Sequence, residues 1–252
     1  MLETQSLVFI ATTVTIDKAH TRCNMNKAPE RLKSTLQRIE KACIAAGRRP
    51  DEVSLLAVSK RHSVEAIITF NKLGVHSFGE NQLQEALKKQ LEIGVRDMQW
   101  HFIGTIQSNK TRAIAENFQW VQSVDRQKIL NRLAEQRPDS LGPLNICLQV
   151  NIDREPQKAG ASPEEILQLA SFARDLRNIK VRGLMAIPEL TTVESRQHDS
   201  FRKVSALFEE LKNAGHDIDT LSMGTSADLE IAIAEGSTMV RIGTDLFGKR
   251  ET

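Results

Sequence analysis

SLLAVSKRHSVEAIITFNKLGVHSFGEN, residues 54–81, reads as a strand (54–60), an amphipathic helix (63–73) and a second strand (75–81). Strand, helix and strand in that order make a parallel βαβ unit, because the crossover helix returns the chain to the same end of the sheet. Upstream, Pro29 and Glu30 open a helix that carries Leu32, Leu36, Ile39, Cys43 and Ile44 at helical spacing and stops at Gly47. Downstream, the pattern repeats. Strands are expected at 99–105, 120–125, 144–152, 181–188, 220–225 and 239–248, with helices at 83–93, 108–117, 126–137, 162–178, 195–214 and 227–236. That makes eight strands, each but the last followed by a helix. An α/β fold of this kind closes into a single (β/α)8 TIM-type barrel. An open doubly wound sheet is the second choice, weakened because no GxGxxG follows the first strand. The barrel is expected over 27–252. Residues 1–26 read as an appendage, either disordered or the product of a misassigned start.

Composition narrows the function. The 252 residues carry 34 basic and 32 acidic side chains, a formal net charge of +2. Such a mixed surface has no basic stripe, so nucleic acid is not an expected partner. The apolar stretch at 6–16 is shorter than the ~20 residues that span a bilayer, so no membrane partner is expected. Glu3 stands where a secretory leader would be basic, and no small-residue cleavage site follows. Cys23, Cys43 and Cys147 form no CxxC pair, which speaks for a reducing compartment and against a zinc site. A cytoplasmic protein is expected, as a monomer or a weak dimer.

In (β/α)8 barrels the chemistry sits where strands end and loops begin. Strand one ends in Lys60, strand two in Gly79-Glu80-Asn81, strand seven in Gly224-Thr225-Ser226, and strand eight carries Arg241, Gly243 and Thr244. Alternate strand residues share a face, so Leu56, Val58 and Lys60 point one way, as do Ser77, Gly79 and Asn81, and Met239, Arg241 and Gly243. A lysine above two aliphatic layers loses hydration, which favours the neutral amine and attack on a carbonyl. Taken alone, Lys60 reads first as a solvated lysine leaving a strand, and the end of strand seven changes that reading. Ser226, with a helix expected from Ala227, and Gly243-Thr244 supply small residues and hydroxyls for an anion site, the usual phosphate position of such barrels. A capped helix with a glycine turn would look the same. Strand eight closes beside strand one at about 4.8 Å, so a small flat aldehyde bearing a phosphate fits both groups. Pyridoxal 5′-phosphate is the candidate. Arg241 would then face the ring nitrogen and, unable to accept a proton, keep that nitrogen unprotonated.

The runs AVSK (57–60), FGEN (78–81), WHFIG (100–104), LSMG (221–224) with Ser226, and GSTMVRIGTDLFGKR (236–250) closely resemble the pyridoxal-phosphate homeostasis proteins, also called the YggS-like or proline synthase co-transcribed family. The resemblance covers the chain from residue 27 to the end. It implies a barrel like that of alanine racemase, fold-type III among pyridoxal-phosphate proteins, with the cofactor as a Schiff base on Lys60. It further implies Asn81 near the ring, Ser226, Gly243 and Thr244 around the phosphate, and Arg241 towards the pyridine nitrogen. Its members are carriers or regulators of vitamin B6 without an established reaction. Three positions depart: Thr225 where methionine is usual, Gln82 where an aromatic is usual, and Ile106 where leucine is usual.

The residues bear on carrier against enzyme by themselves. A barrel racemase uses a lysine and a second base, usually tyrosine, and the chain contains no tyrosine. No spacing argues for Cys147 or His101 as a substitute. A cofactor-binding protein that buffers or delivers pyridoxal phosphate, with apo enzymes of that cofactor as partners, is expected over a weak racemase or lyase. A Schiff-base aldolase on Lys60 is the third reading, disfavoured by aliphatic strand neighbours. His101 reads as a hydrogen-bonded barrel residue. His62, His76, His198 and His216 read as surface or loop residues, Trp100 and Trp120 as packed under helices, and Glu80 as pointing away from the ring. Asn109 and Lys110 are candidates for the pocket rim, and Asp228 for its helix's first turn.

Overall fold

The computed structural model describes residues 26–189 and 191–248. Eight parallel strands close into one barrel, each paired with its neighbour in sequence and β1 with β8. The strands are β1 (Ser54–Val58), β2 (Ser77–Glu80), β3 (Gln99–Phe102), β4 (Trp120–Val124), β5 (Leu144–Val150), β6 (Ile179–Ala186), β7 (Thr220–Thr225) and β8 (Met239–Ile242). Helix α1 (Ala28–Ala45) precedes them. Between and after them lie α2 (Val64–Lys72), α3 (Leu83–Ile93), α4 (Thr111–Asn117), α5 (Gln127–Gln136), α6 (Pro163–Ala173), α7 (Glu194–Asn213), α8 (Leu229–Ala234) and α9 (Thr244–Phe247). The (β/α)8 expectation holds. The expected strand ends were too long: Lys60, Asn81 and Gly243 stand just past the last paired residue, and 244–247 form a helical turn rather than strand. The expected appendage and Cys23 lie outside the described residues, apart from Asn26.

Alternation along each strand sorts its residues. Ala57, Phe78, Phe102, Val121, Leu148, Leu184, Leu221 and Val240 are buried in the shell between strands and helices, the main apolar core. The other parity faces the lumen. There Leu56 lies beside Gly79 with Ile103, and Val58 lines the cavity above it, so the expected aliphatic layers of β1 are present, but much of the rest of the lumen is not aliphatic. Gln122 Nε2 donates to His101 Nδ1 at 2.9 Å and lies 3.2 Å from Met239 Sδ, and Ser222 Oγ donates to Gln122 Oε1 at 2.7 Å. Trp120, expected under a helix, instead fills the lumen floor with Cys147 and Met185. It stacks on His101 at 5.1 Å and lies under Arg182 at 4.9 Å. Trp100 does pack outward, against Phe78. A lumen of this kind differs from the branched aliphatic filling usual in such barrels. Most buried polar groups in such a lumen are paired inside it.

Gly104, just past β3, marks close packing under the site. A Cβ there would lie 2.1 Å from the Asn81 carbonyl oxygen. Gly104→Ala is expected to push β2 and β3 apart and cost about 1–3 kcal/mol. Urea denaturation checks this, and a change below about 0.5 kcal/mol, the scale of a surface substitution, would refute it. Among the described residues, no helix is long and apolar enough to cross a membrane. No cluster of His, Cys, Asp and Glu among them could hold a metal ion.

Candidate functional site

A cavity of about 860 Å³ opens at the carboxyl end of the strands. Lys60, Asn81, Ser226, Arg241, Gly243 and Thr244 all line it, so the barrel brings these six expected residues to one cavity. Lys60 is half-buried, two residues beyond β1. Asn81 follows β2, its backbone against Gly104.

Arg241 forms the floor. It is buried. Its Nη1 donates to the Ser222 carbonyl at 2.7 Å and to Oγ of the same residue at 2.9 Å, while Nη2 donates to the Ala186 carbonyl at 2.8 Å. Among the described residues no carboxylate hydrogen-bonds to it. Burial therefore pulls its pKa down to about 10, partly offset by the charge of Asp228. A buried cation held only by neutral oxygens favours an anion or a lone pair above it. Ser222 Oγ in turn donates a hydrogen bond to Gln122 Oε1, so a line of hydrogen bonds runs from Arg241 down to His101. That last bond makes Nδ1 the acceptor, and the buried Nε2 has no partner. Burial depresses the His101 pKa to about 3 and raises that of Cys147 to about 12.

The anion cradle is built differently from expectation. The helix after β7 starts at Leu229, not near Ala227, and both α8 and α9 are too short to offer a strong dipole. Asp228 does not cap its helix. Its Oδ1 accepts from the Thr225 backbone N–H at 2.6 Å and from Thr225 Oγ1 at 2.9 Å, folding the turn that presents Ser226. Thr225, where methionine is usual, is thus absorbed into that turn. Arg38 of α1 joins the two loops from outside. It donates to the Ser226 carbonyl at 3.2 Å and to Glu230 at 2.8 Å, and it pairs with Asp245. At Gly243 a Cβ would come within 3.3 Å of the Val58 carbonyl, so a side chain there would crowd the seam between β8 and β1.

Several lining residues were not read from the sequence. His62, expected at the surface or in a loop, lies in the loop after β1, stacks on Phe247 at 4.6 Å and lines the cavity. Gln149, Gln157, Lys158, Ala159 and Ile187 form the wall beside β5 and β6. Gln149 Nε2 donates to the Ala159 carbonyl at 2.9 Å and ties this loop to its strand. Strand parity from Cys147 was the available signal for Gln149. The loop beyond carries none. Gln82 lies at the exposed edge of the cavity, whereas Asn109 and Lys110 do not line it. Glu80 does point away. It is buried, accepts from Ser59 Oγ at 2.7 Å and pairs with Lys89 at 2.8 Å.

Comparison with known proteins gives the family and the fold. The profile of the family described as alanine racemase, N-terminal domain, matches residues 30–251. The pyridoxal phosphate homeostasis protein of Pseudomonas aeruginosa is 53% identical over 227 residues, 90% of this chain and 97% of that protein. Its Escherichia coli counterpart is 44% identical over 230 residues, 90% of this chain and 98% of that protein. Among solved structures, PipY of Synechococcus elongatus with pyridoxal phosphate bound superimposes with a TM-score of 0.76 at 34% identity, covering 88% of this chain and all of PipY. Alanine racemase of Corynebacterium glutamicum, at 14% identity, shares the fold, with a TM-score of 0.63 over 85% of this chain and 60% of that one.

Proposed function

The chain belongs to the family of pyridoxal phosphate homeostasis proteins, and from that premise we propose that it holds pyridoxal 5′-phosphate on Lys60 to buffer and deliver it rather than to turn over a substrate. The observation that carries this reading is the convergence of Lys60, the Ser226 and Gly243-Thr244 loops and the carboxylate-free Arg241 on one cavity. When bound, the cofactor supplies a reactive carbonyl and an electron-withdrawing ring. Lys60 binds that carbonyl covalently. Ser226, Gly243 and Thr244 take the phosphate. Arg241, a guanidinium that cannot accept a proton, holds the ring nitrogen side as a donor only, which keeps the ring a weak electron sink.

The lack of a tyrosine, the usual second base of a barrel racemase, supports holding over turnover. Cys147 and His101 are buried beneath Arg241, the thiol pushed up to about 12 and the imidazole down to about 3, so neither exchanges protons at the cavity near neutral pH. Loaded protein is expected to pass its cofactor to an apo enzyme that depends on it, restoring that enzyme's activity, while amino acids supplied alone are not consumed. Steady racemisation or cleavage of one amino acid by the loaded protein would overturn the carrier reading in favour of a weak enzyme.

Retention should depend on the cradle. Ser226→Ala removes one hydroxyl from a charged ligand, a loss of about 1.5 kcal/mol and hence roughly tenfold in affinity. Equilibrium dialysis against free cofactor measures it, and an unchanged affinity would move the phosphate away from Ser226.

A further inference from the structure

The backbone on both sides of Lys60 is tied to one buried cluster that does not line the cavity. Lys89 of α3 is the centre of it, its ammonium buried. It donates to the Ser59 carbonyl at 2.8 Å, to Glu80 Oε1 at 2.8 Å and to Glu85 Oε1 at 2.6 Å, which accounts for all three of its protons. Each acceptor leads to a neighbour of Lys60. The Ser59 carbonyl belongs to the preceding residue. Glu80 Oε1 also accepts from Ser59 Oγ at 2.7 Å. Glu85 Oε1 also accepts from the Arg61 backbone N–H at 2.6 Å.

Local geometry gives this clamp something to hold. The His62 N–H donates to the Ser59 carbonyl at 3.1 Å, closing a turn with Lys60 and Arg61 at its centre. Arg61 has φ 62°, a left-handed conformation at a turn position that normally takes glycine. An arginine there is held against its own preference. A buried ion pair is a poor means of adding stability, since desolvation of both charges cancels much of their attraction. Its use lies in fixing one geometry.

We propose that Lys89, through Glu80 and Glu85, is a positioning residue for Lys60: it locks the turn between Ser59 and His62 so that the Lys60 amine is presented to a carbonyl in attack geometry. The proposal rests on the reading that Lys60 carries the cofactor. The Lys60 amine adds to the aldehyde carbon and gives up both of its protons with the carbonyl oxygen as one water, so the link forms without oxidant or reductant. Lys89 stays outside this exchange and acts only on where the amine sits.

The test compares Lys89→Met, the charge-balanced double variant Lys89→Met with Glu80→Gln, and Glu85→Ala, which sits at the half-buried end of the cluster and leaves the inner pair intact. Two quantities are measured on each apo protein. One is the rate of covalent attachment of pyridoxal 5′-phosphate, followed by absorbance and located by borohydride trapping and peptide mapping. The other is the affinity for pyridoxine 5′-phosphate, which has the same ring and phosphate but an alcohol in place of the aldehyde. The expected result is attachment slowed by about 10- to 100-fold in the Lys89 variants and by a smaller factor in Glu85→Ala, with pyridoxine 5′-phosphate binding unchanged. A purely structural role would reduce both together. Attachment at the wild-type rate in folded variants, or parallel loss of both quantities, would overturn the proposal. If wild-type protein is trapped at a lysine other than Lys60, the reading beneath it fails, and the positioning role with it.

Discussion

Lys60→Ala is expected to abolish covalent cofactor attachment while leaving the barrel folded. Borohydride treatment of the loaded wild-type protein should place a phosphopyridoxyl group on the peptide containing Lys60, and the variant should give no labelled peptide. Lys158 also lines the cavity, so the location of the label matters as much as its presence. Lys158 differs from Lys60 in its setting. Its ammonium donates to the Pro188 carbonyl at 2.8 Å and pairs with Glu155 at 2.5 Å, contacts that tie it to the far wall. The fold should survive because Lys60 stands above Leu56 and Val58, which remain buried without it. A loss of apo-form stability of about 2–5 kcal/mol, the range of a core truncation, would show that Lys60 is part of the packing and not a group mounted on it.

Acid should destabilise the barrel through His101. Its pKa of about 3 in the folded protein lies well below the unfolded value of about 6.5. Between these limits the unfolded chain binds a proton that the native chain refuses, so stability falls as pH drops from about 6.5 towards 3. By pH 4 the loss amounts to roughly 3 kcal/mol at 1.36 kcal/mol per unit. His101→Asn keeps an acceptor in place of Nδ1 for Gln122 and removes the titration. Its absolute stability should be lower from the cavity it leaves. Its denaturation midpoint should nevertheless decline less steeply than wild type over this window, a comparison in which the carboxylates common to both cancel. Parallel slopes would mean that water or a shift of the Trp120 stack admits the proton at little cost. Because the histidine ends the line of bonds to Arg241, acid should loosen the cofactor floor before the barrel opens.

Two neighbouring parts of the molecule were legible in the residues to very different degrees. β1 and β2 could be placed because AVSK and FGEN are short buried runs on either side of an amphipathic stretch, and periodicity is a property of neighbours in sequence. The same alternation put Lys60, Asn81 and Arg241 on lumen faces and at the reactive end, which is where they stand. Trp120 shows the limit. Its place at a strand start gave no parity reference, since the register between β3 and β4 pairs it with His101 across the sheet. Glu80 was read as pointing away, but what it points at, Lys89 of the next helix, was not.

The order of elements, the closed barrel and the strand ends carrying the site follow from the sequence by itself, because hydrophobic period, helix boundaries and strand length are set within a few residues. The polar lumen, the clamp on either side of Lys60 and the loop wall around Lys158 were decided only by the tertiary structure. In the lumen and the loop brace the partners come from distant positions: Ser222 meets Gln122 across 100 residues, Arg241 meets Ala186 across 55, and Arg38 meets Ser226 across 188. Such contacts exist only once barrel closure and strand register have fixed which side chains share a layer. No local pattern encodes that register, so the chemistry beneath and beside the reactive lysine became visible with the fold and not before it.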